Sequence, residues 1–534
     1  MLEVAFGRHV IEGDLTKSIV TGSSPTHVVT VQHMLGDARG KGWDGVEGLW
    51  FRGTNRPPAK YKFYPGIMSP GNDDTVQGID SVFDKDTPHS NTAWIRCELP
   101  NGSEVGIPDF DTKASPPDGL TGIYRTQLGD IYDEEGEITA SDVFLTNPAD
   151  CIAFGCTEIW RRPISRVDWE SLETLRAICD ATVTPDYTTL PEGVGLTARY
   201  YAGANFDTLV ERRIDPVIQF DLSAGAPALG LDPNNFSARY EGKIRGRIDE
   251  AHTLYITHND GVRFYFDGDL VIDQWASTGE HSVSVGLDPD DYIDIVIEWK
   301  DESGDAQLKF EWQSASQARQ VIPQEWLYPK NEAQKRFECH VAFTQRTTFD
   351  DFLRQVLFTC NGGFQDVGGK LSFFCIDELE TSFDFTPANI KKGTFSHSAR
   401  FSQQDLMSLP NRYIADGRDL NSRYLEKFDP ELVYDLPDLQ EIAGRIITET
   451  VFVGNTTRWQ ALDNLRHYAK LRSSPTTSEF DGTQMTLSVL HGDLVTVSHP
   501  NAGWEEKRFL CIEATDKAIE KGADHRFFRL LDWE

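Results

Sequence analysis

Two short runs carry residues whose types and spacing come close to those of known ligand-binding loops. One is Gly36-Asp37-Ala38-Arg39-Gly40-Lys41-Gly42, which has the glycines and the lysine of a phosphate-binding loop. Only three residues separate Gly36 from Gly40, and neither serine nor threonine follows Lys41, so a flexible turn is the better interpretation. The other is the acidic run 130–136. Its Gly136 would place Ile131 at the first calcium ligand, which excludes an EF-hand.

The eight cysteines do not have the spacing of a metal or redox site. No Cys-x-x-Cys pair occurs, so neither a zinc ribbon nor a thioredoxin-type site is predicted. Most of the cysteines lie in apolar runs, and we expect them to be buried as small hydrophobic side chains. They are Cys97, Cys151, Cys156, Cys179, Cys339, Cys360, Cys375 and Cys511.

The sequence also lacks the motifs of common enzymes. It contains no metalloprotease helix motif and no nucleophile elbow. Pairs of carboxylates are frequent in so acidic a chain, so their proximity in sequence is no evidence of glycoside hydrolysis. We therefore expect a protein that is not an enzyme.

Length and charge narrow the class of protein further. The 534 residues are enough for two to four domains. The 84 acidic and 51 basic residues give a net charge of −33, so we expect no direct binding of nucleic acid or anionic membranes. The first eight residues include no basic segment followed by an apolar core, and no apolar run approaches a membrane span. We expect synthesis in the cytosol, without a signal peptide or a membrane segment.

Alternating apolar residues between residues 195 and 328 predict a β-sandwich. The run 258–273 alternates on both sides of an Asp267-Gly268 turn, which is typical of a tight hairpin. A second hairpin is expected around loop 301–305. The apolar positions of its two arms are Ile293, Ile295, Ile297, Trp299, Leu308, Phe310 and Trp312. So many strands in a short span need a second sheet to bury their apolar faces.

This region resembles the PA14 domain, a carbohydrate-binding module named after anthrax protective antigen. The resemblance extends over the whole region, which is about a quarter of the chain. The matching runs are Gly195-Leu196-Thr197-Ala198-Arg199-Tyr200-Tyr201, Phe236-Ser237-Ala238-Arg239-Tyr240-Glu241-Gly242, Asn259-Asp260-Gly261-Val262-Arg263-Phe264-Tyr265-Phe266-Asp267-Gly268 and Val321-Ile322-Pro323-Gln324-Glu325-Trp326-Leu327-Tyr328.

The resemblance implies a calcium-dependent sugar site. PA14-type lectins often hold calcium through two adjacent acidic residues, in some cases joined by a cis peptide bond, and the matching pair here is Asn259-Asp260. An amide oxygen can bind calcium, but the lost charge lowers affinity. The alternative is that the pair only shapes the turn before Gly261. Trp275 and His281 are candidates to stack on or bond to a sugar, with a core or surface role as the alternative for each.

The segments on both sides of this region are predicted to be α+β. Residues 1 to about 160 are predicted to be mostly β, followed by a helix capped by Asp168 and a linker at 183–193. Later helices are predicted after Thr348 and at 457–471, with a hairpin around Gly368-Gly369-Lys370 between them. Further strands are predicted at 337–343, 487–490, 494–498, 509–514 and 527–531.

These flanking segments are similar to the central tail-hub proteins of long-tailed phages, including the N-terminal part of the lambda tail-tip protein encoded by gene J. Four stretches carry the resemblance by their order and spacing. The first is Gly48-Leu49-Trp50-Phe51-Arg52-Gly53-Thr54, which leads into Tyr61-Lys62-Phe63-Tyr64-Pro65-Gly66. The second is Asn147-Pro148-Ala149-Asp150, before a helix that ends at Ile178-Cys179-Asp180, and the third is Arg336-Phe337-Glu338-Cys339, before the Thr348 helix. The fourth is Leu490-His491-Gly492-Asp493-Leu494-Val495-Thr496-Val497-Ser498, which is followed by Gly503-Trp504 and Lys507-Arg508-Phe509.

The two resemblances together predict an inserted domain. The expected fold is mainly β with α+β elements, in which β-barrel or β-sandwich hub domains carry a PA14-like β-sandwich. The first part of the hub domains is predicted at 1–192, the inserted module at 193–329 and the second part of the hub domains at 330–534. Turn-rich linkers on both sides suit insertion into an exposed loop.

The hub resemblance implies a structural virion protein. It implies a homotrimeric ring that closes the tail tube at the tail tip or baseplate, beside the distal tail protein, the tape-measure protein and tail-fibre or tip proteins. The module adds attachment to glycans on the host surface. A virion protein is made in the host cytoplasm and released by lysis, and some gene-transfer agents use the same hub type. The alternatives are a glycan-active enzyme or a secreted adhesin with a PA14 accessory module.

Overall fold

The computed structural model describes selected strands of the first part of the chain and most of the rest. Before residue 120 it describes 4–6, 8–12, 14–21, 28–37, 43–51, 54–55, 61–64 and 92–100. From 120 to 533 it describes every residue except 191, 223–225, 229–230, 233, 344–346, 377–378, 401, 420–426, 429–430 and 518–524. The fold is mainly β with several sheets, as predicted. Residues 38–42 of the predicted flexible turn lie outside the described residues.

The described residues of the first segment form antiparallel sheets. Their strands are β1 (Val4–Ala5), β2 (Arg8–Glu12), β3 (Asp14–Thr21), β4 (Val28–Asp37), β5 (Trp43–Phe51), β6 (Thr54–Asn55), β7 (Tyr61–Tyr64), β8 (Thr92–Pro100), β9 (Leu120–Tyr132) and β10 (Ile138–Phe144). One sheet has the order β3-β4-β8-β7, and another has the order β10-β9-β5-β6 with β2 paired to β9.

Six α-helices are described, all outside the module. They are α1 (Pro148–Phe154), α2 (Trp169–Asp180), α3 (Phe349–Phe358), α4 (Gln403–Leu406), α5 (Pro437–Ala443) and α6 (Arg458–Ser473). The predicted caps of α2 and α3 are confirmed, since Asp168 accepts the N–H of Ser171 and Thr348 accepts that of Asp351. Helix α1 was not predicted, although Asn147 caps it and Pro148 occupies its first turn.

Fourteen further strands are described outside the module, one directly before it and thirteen after it. They are β11 (Thr182–Val183), β24 (Gln334–Lys335), β25 (Ala342–Phe343), β26 (Gly362–Val367), β27 (Lys370–Cys375), β28 (Thr381–Phe385), β29 (Ser396–Ala399), β30 (Arg412–Asp416), β31 (Val433–Asp435), β32 (Thr448–Phe452), β33 (Thr476–Asp481), β34 (Leu494–His499), β35 (Trp504–Lys517) and β36 (His525–Asp532), of which β24 to β36 follow the module. Six of them form one sheet in the order β28-β34-β35-β36-β33-β29.

Two predicted strands of this segment are wrong or too long. Of 337–343, only Ala342–Phe343 is a strand, because the N–H groups of Cys339 and His340 bond separately to Thr146 O and Gly454 O rather than to one neighbouring strand. Residues 487–490 are no strand and follow a 3₁₀ helix at Gln484–Thr486. The hairpin around Gly368-Gly369 is confirmed, with β26 paired to β27.

The cysteine side chains are buried, as predicted, at the seven described positions. Six of them share one hydrophobic core with α1, α2 and α3, namely Cys151, Cys156, Cys179, Cys339, Cys360 and Cys375. Burial raises the pKa of Cys156 to about 12, which suppresses the reactive thiolate. The side chain of Cys97 lies outside the described residues.

The module is a two-sheet sandwich. Its strands are β12 (Leu196–Ala202), β13 (Thr208–Asp215), β14 (Gln219–Leu222), β15 (Phe236–Ile244), β16 (Glu250–Asn259), β17 (Gly261–Phe266), β18 (Asp269–Gln274), β19 (Gly279–Leu287), β20 (Ile293–Asp301), β21 (Ala306–Ser314), β22 (Gln320–Val321) and β23 (Leu327–Pro329). One sheet has the order β13-β12-β15-β20-β17-β18 with β23 on β15. The other has the order β14-β21-β16-β19 with β22 on β21.

One of the two predicted hairpins of the module is confirmed. Strands β17 and β18 pair around Asp267 and Gly268, which both have positive φ, as a tight hairpin turn requires. The second hairpin is wrong, because β20 pairs with β15 and β17 whereas β21 pairs with β14, β16 and β22. Loop 301–305 therefore crosses from one sheet to the other, and the apolar residues of β20 and β21 face each other across the core.

The module joins the flanking segments through packed chain rather than through a free linker. Strands β11 and β24 pair directly before and after it, with Thr182 opposite Lys335. Tyr187 and Leu190, in the stretch predicted to be a linker, are buried in a core that also contains Val194 and Ile214 of the module. The described residues of the predicted linker at 183–193 form an irregular connection with one short 3₁₀ turn, but its apolar residues are packed, which turn residues in the sequence do not show.

Within the described residues, no helix has the length and apolar character needed to cross a membrane.

Candidate functional site

Two sheet-crossing connections meet at one end of the sandwich. Asn259 ends β16 in one sheet and Gly261 starts β17 in the other, so Asp260 lies at the crossing. Loop 301–305 makes the second crossing, and strand pairing sets Lys300 opposite Gly261 and Gln307 opposite Asn259. Asn259-Asp260 and loop 301–305 therefore lie side by side, and we refer to them as the apical loops.

Hydrogen bonds fix the apical loops to each other. Asp260 Oδ2 accepts the N–H of Glu302 at 2.9 Å, and Asn259 Nδ2 donates to Asp305 O at 2.7 Å. Trp299 Nε1, from the core, donates to Asn259 O at 2.9 Å. The peptide bond between Asn259 and Asp260 is cis. The amide nitrogen of Asn259 is engaged, so its Oδ1 is the atom that could coordinate a cation.

At this end of the sandwich, the side chain of Asp301 has an unusual environment. It is fully buried, and neither carboxylate oxygen has a hydrogen-bond partner. Burial, followed by the charges of Asp260, Asp305 and Glu302, raises its pKa to about 6. A buried carboxylate without a partner is costly, so an oxygen-binding cation is the expected neighbour.

The described residues fit a calcium ion in part. No three His, Cys, Asp or Glu side chains within the described ranges are placed together to hold a metal ion. A cation here would therefore be held by Asp260 and Asp301 together with amide, main-chain or water oxygens. Calcium accepts such mixed oxygen ligands, and Asn259 Oδ1 would supply one of them. The predicted roles of Asn259 and Asp260 in binding calcium and sugar stay predictions.

The ring of Trp275 already has neighbours beside the apical loops. It stacks on Phe206 with centroids 5.9 Å apart, and Arg263 Cζ lies 4.4 Å from its centroid. A Cβ at Gly261 would lie 2.3 Å from the Trp275 carbonyl oxygen, so this approach requires glycine. These contacts favour the packing role for Trp275 that the sequence also allowed.

His281 lies next to a second histidine, His258, which in turn contacts the apical loops. Its ring lies 5.3 Å from that of His258, which is buried. His258 Nδ1 lies 2.8 Å from Asp260 O, and a carbonyl oxygen only accepts, so Nδ1 carries the proton. Burial lowers the pKa of His258, which keeps this ring neutral near pH 7. Binding of a sugar by His281 stays a prediction.

Neither His258 nor Asp301 was predicted from the sequence to be a site residue. A signal for Asp301 was present, because it continues the alternating row Ile295, Ile297 and Trp299 that faces the core. An acidic residue at the end of such a row predicts a carboxylate aimed into the sandwich.

Replacement of Asp301 by asparagine is expected to change how stability depends on pH. The folded-state pKa of about 6 exceeds the ordinary value of 3.8, so the folded protein binds more protons between these values. Without calcium, stability should therefore fall as pH rises from about 4 to about 6. Thermal unfolding in chelator should show this decline in the wild type and not in Asp301→Asn. An equal decline in both proteins would contradict this assignment.

Comparison with known proteins identifies the sandwich. The family model of the PA14 domain matches residues 193–326. The anti-sigma-I factor RsgI3 of Acetivibrio thermocellus is 37% identical over 141 residues, which cover 26% of this chain and 22% of the relative. The chain thus spans about a fifth of that curated relative.

The chain is also similar to several solved structures. An anti-sigma factor domain-containing protein is 36% identical, with a TM-score of 0.26, over 26% of this chain and 49% of the other. The epithelial adhesin 6 A domain of Candida glabrata, solved with Galb1-3GlcNAc, is 14% identical with a TM-score of 0.24, over 28% and 94% of the two chains. A chain of the virion of a native gene transfer agent particle is 10% identical with a TM-score of 0.46, over 100% and 84%. Residues 193–326 of this chain are a PA14 domain.

Proposed function

We propose that the chain is a structural virion protein, without enzymatic activity, that carries a glycan-binding PA14 module. In this proposal residues 1–192 and 330–534 form the central hub of a long-tailed phage tail tip. Residues 193–329 attach the particle to glycans on the host surface. The observation that carries the binding role is the unpaired carboxylate of Asp301 beside Asn259 and Asp260, within a PA14 domain.

The way the module leaves and re-enters the flanking segments supports an insertion. Strands β11 and β24 pair across it, so its entry and exit are adjacent. Asn331 Oδ1 accepts the N–H of Tyr187 at 3.1 Å, which ties the two connections together. The module would then be held at a fixed position on the hub, as attachment through a rigid tail tip requires.

The hub role rests on the four stretches of sequence that resemble tail-hub proteins. We propose with this role that the protein forms a homotrimer, contacts the distal tail, tape-measure and fibre or tip proteins, and is located at the tail tip. A calcium ion would be the cofactor of the module, and no direct contact with nucleic acid is proposed.

Native mass spectrometry of the purified full-length chain tests the hub role. A stable assembly of three chains, each of 60.1 kDa, is the expected result. Labelled antibody against the chain should also mark the tail tip in negative-stain images of particles. A strictly monomeric protein absent from particles would favour the enzyme or adhesin instead.

A further inference from the structure

A buried histidine, His258, contacts the apical loops from the core of the sandwich. We propose that His258 is a positioning residue, which holds Asp260 in the orientation that binds the calcium ion of the module. This inference rests on the proposed glycan-binding function and adds to it a residue that touches neither the ion nor the glycan.

The sequence places His258 at the end of a row of core-facing side chains. Successive residues of a strand point to opposite faces. In β16 the buried positions are His252, Leu254, Ile256 and His258. Asn259 follows as the last residue of the strand, so His258 is the last core residue before the Asn259-Asp260 pair.

Ring nitrogens in the core hold both main-chain carbonyl groups of this pair. Trp299 Nε1 donates to Asn259 O at 2.9 Å, and His258 Nδ1 donates to Asp260 O at 2.8 Å. The N–H of Asp260 donates in turn to Lys300 O at 3.1 Å. These three bonds engage main-chain atoms of the pair, so none of them occupies the side-chain oxygens that could coordinate a cation.

The second ring nitrogen of His258 indicates that the burial of this imidazole has a cost. Its Nε2 is buried and has no hydrogen-bond partner. A buried polar atom without a partner lowers stability, and an apolar side chain of similar size would contain no such atom. Filling of the core therefore does not account for a histidine here, whereas the bond from Nδ1 to Asp260 O does.

The bond acts on the ion through the main chain. Asp260 O belongs to the same residue as the carboxylate, so loss of its donor lets this residue turn and moves the carboxylate away from Asn259 Oδ1. Contacts that orient a ligand residue in this way change metal affinity by about 10- to 100-fold. His258 itself supplies no ligand, because calcium takes oxygen ligands.

Calorimetric titration of the full-length protein with calcium chloride tests this inference. His258→Phe keeps a ring and removes the donor, so it should weaken calcium binding about tenfold. His258→Asn places an N–H donor where Nδ1 lies and should restore the affinity to within about threefold of the wild type. A rescue by asparagine assigns the effect to the hydrogen bond.

His252 provides a matched control in the same strand. It is buried at the opposite end of the row, and its Nδ1 lies 2.9 Å from Glu250 O. His252→Phe removes the same type of bond at the end of β16 that is remote from the apical loops. It should lower the free energy of unfolding measured in chelator and leave the calcium affinity unchanged.

NMR chemical shifts of the imidazole nitrogens provide a second measurement, made without calcium. At neutral pH they should show a proton on Nδ1 of His258, because a carbonyl oxygen only accepts. The loss of these signals in His258→Asn identifies them.

The outcomes separate this inference from the function on which it rests. A wild-type protein that binds no calcium would overturn the proposed calcium site, and the inference with it. Where the wild type binds calcium, unchanged affinity in His258→Phe, an equal loss in His252→Phe or an Nδ1 without a proton would overturn the inference alone. An asparagine variant as weak as His258→Phe would do the same, because the hydrogen bond would then not be the cause.

Discussion

Replacement of Asp260 by alanine is expected to abolish calcium-dependent glycan binding. Asp260 supplies the one carboxylate of the Asn259-Asp260 pair, and its Oδ2 also accepts the N–H groups of Glu302 and Ser303 at 2.9 and 3.4 Å. The change removes both a charged ligand and the contact that fixes loop 301–305. Calorimetric titration should show calcium affinity reduced by about 100-fold or more.

Two further variants are controls for the Asp260→Ala result. Asp260→Asn keeps the shape and can still accept the loop N–H groups, so a similar loss there would assign the effect to the charge. Asp290→Ala removes an exposed acid in the connection between β19 and β20 and should bind calcium like the wild type. Unchanged calcium affinity in Asp260→Ala would show that the pair only shapes the turn.

Replacement of Trp299 by alanine should destabilise the module more than any change at its surface. Its side chain is fully buried, lies 5.1 Å from Phe236 and 5.8 Å from Phe220 by ring centroids, and donates to Asn259 O. Loss of a buried tryptophan side chain costs about 3–5 kcal/mol. Chemical denaturation monitored by far-ultraviolet circular dichroism, a signal that does not depend on tryptophan fluorescence, should show this loss in the free energy of unfolding.

Trp299→Phe separates packing from hydrogen bonding. Phenylalanine fills most of the space but leaves Asn259 O without its donor, at a cost of about 1–3 kcal/mol. We expect this variant to fold and to bind calcium more weakly than the wild type. A loss below about 1 kcal/mol in Trp299→Ala would contradict the assigned core, because such a loss is typical of surface changes.

Local chemistry accounts for what the sequence predicted correctly. The Asp267-Gly268 turn and the caps Asp168 and Thr348 depend on residues a few positions apart, so each signal is complete within its own stretch. The family resemblance of residues 193–326 also depends on sequence alone and is confirmed by the matching domain family.

Non-local pairing accounts for what the sequence missed. Alternation on both sides of loop 301–305 showed which side chains face the core, but it could not show that β20 and β21 belong to different sheets. The role of Asp301 depends on the same crossing, because only the fold brings it beside Asp260. The domain boundaries and the roles of Trp275 and His281 stay predictions.

A glycan array probed with the full-length protein in calcium and in chelator tests the account most directly. We predict binding to a set of glycans in calcium, its loss in chelator, and no binding by Asp260→Ala under either condition. Binding that persists unchanged in chelator and in Asp260→Ala would contradict the calcium site, and no binding to any glycan would contradict the glycan-binding function itself.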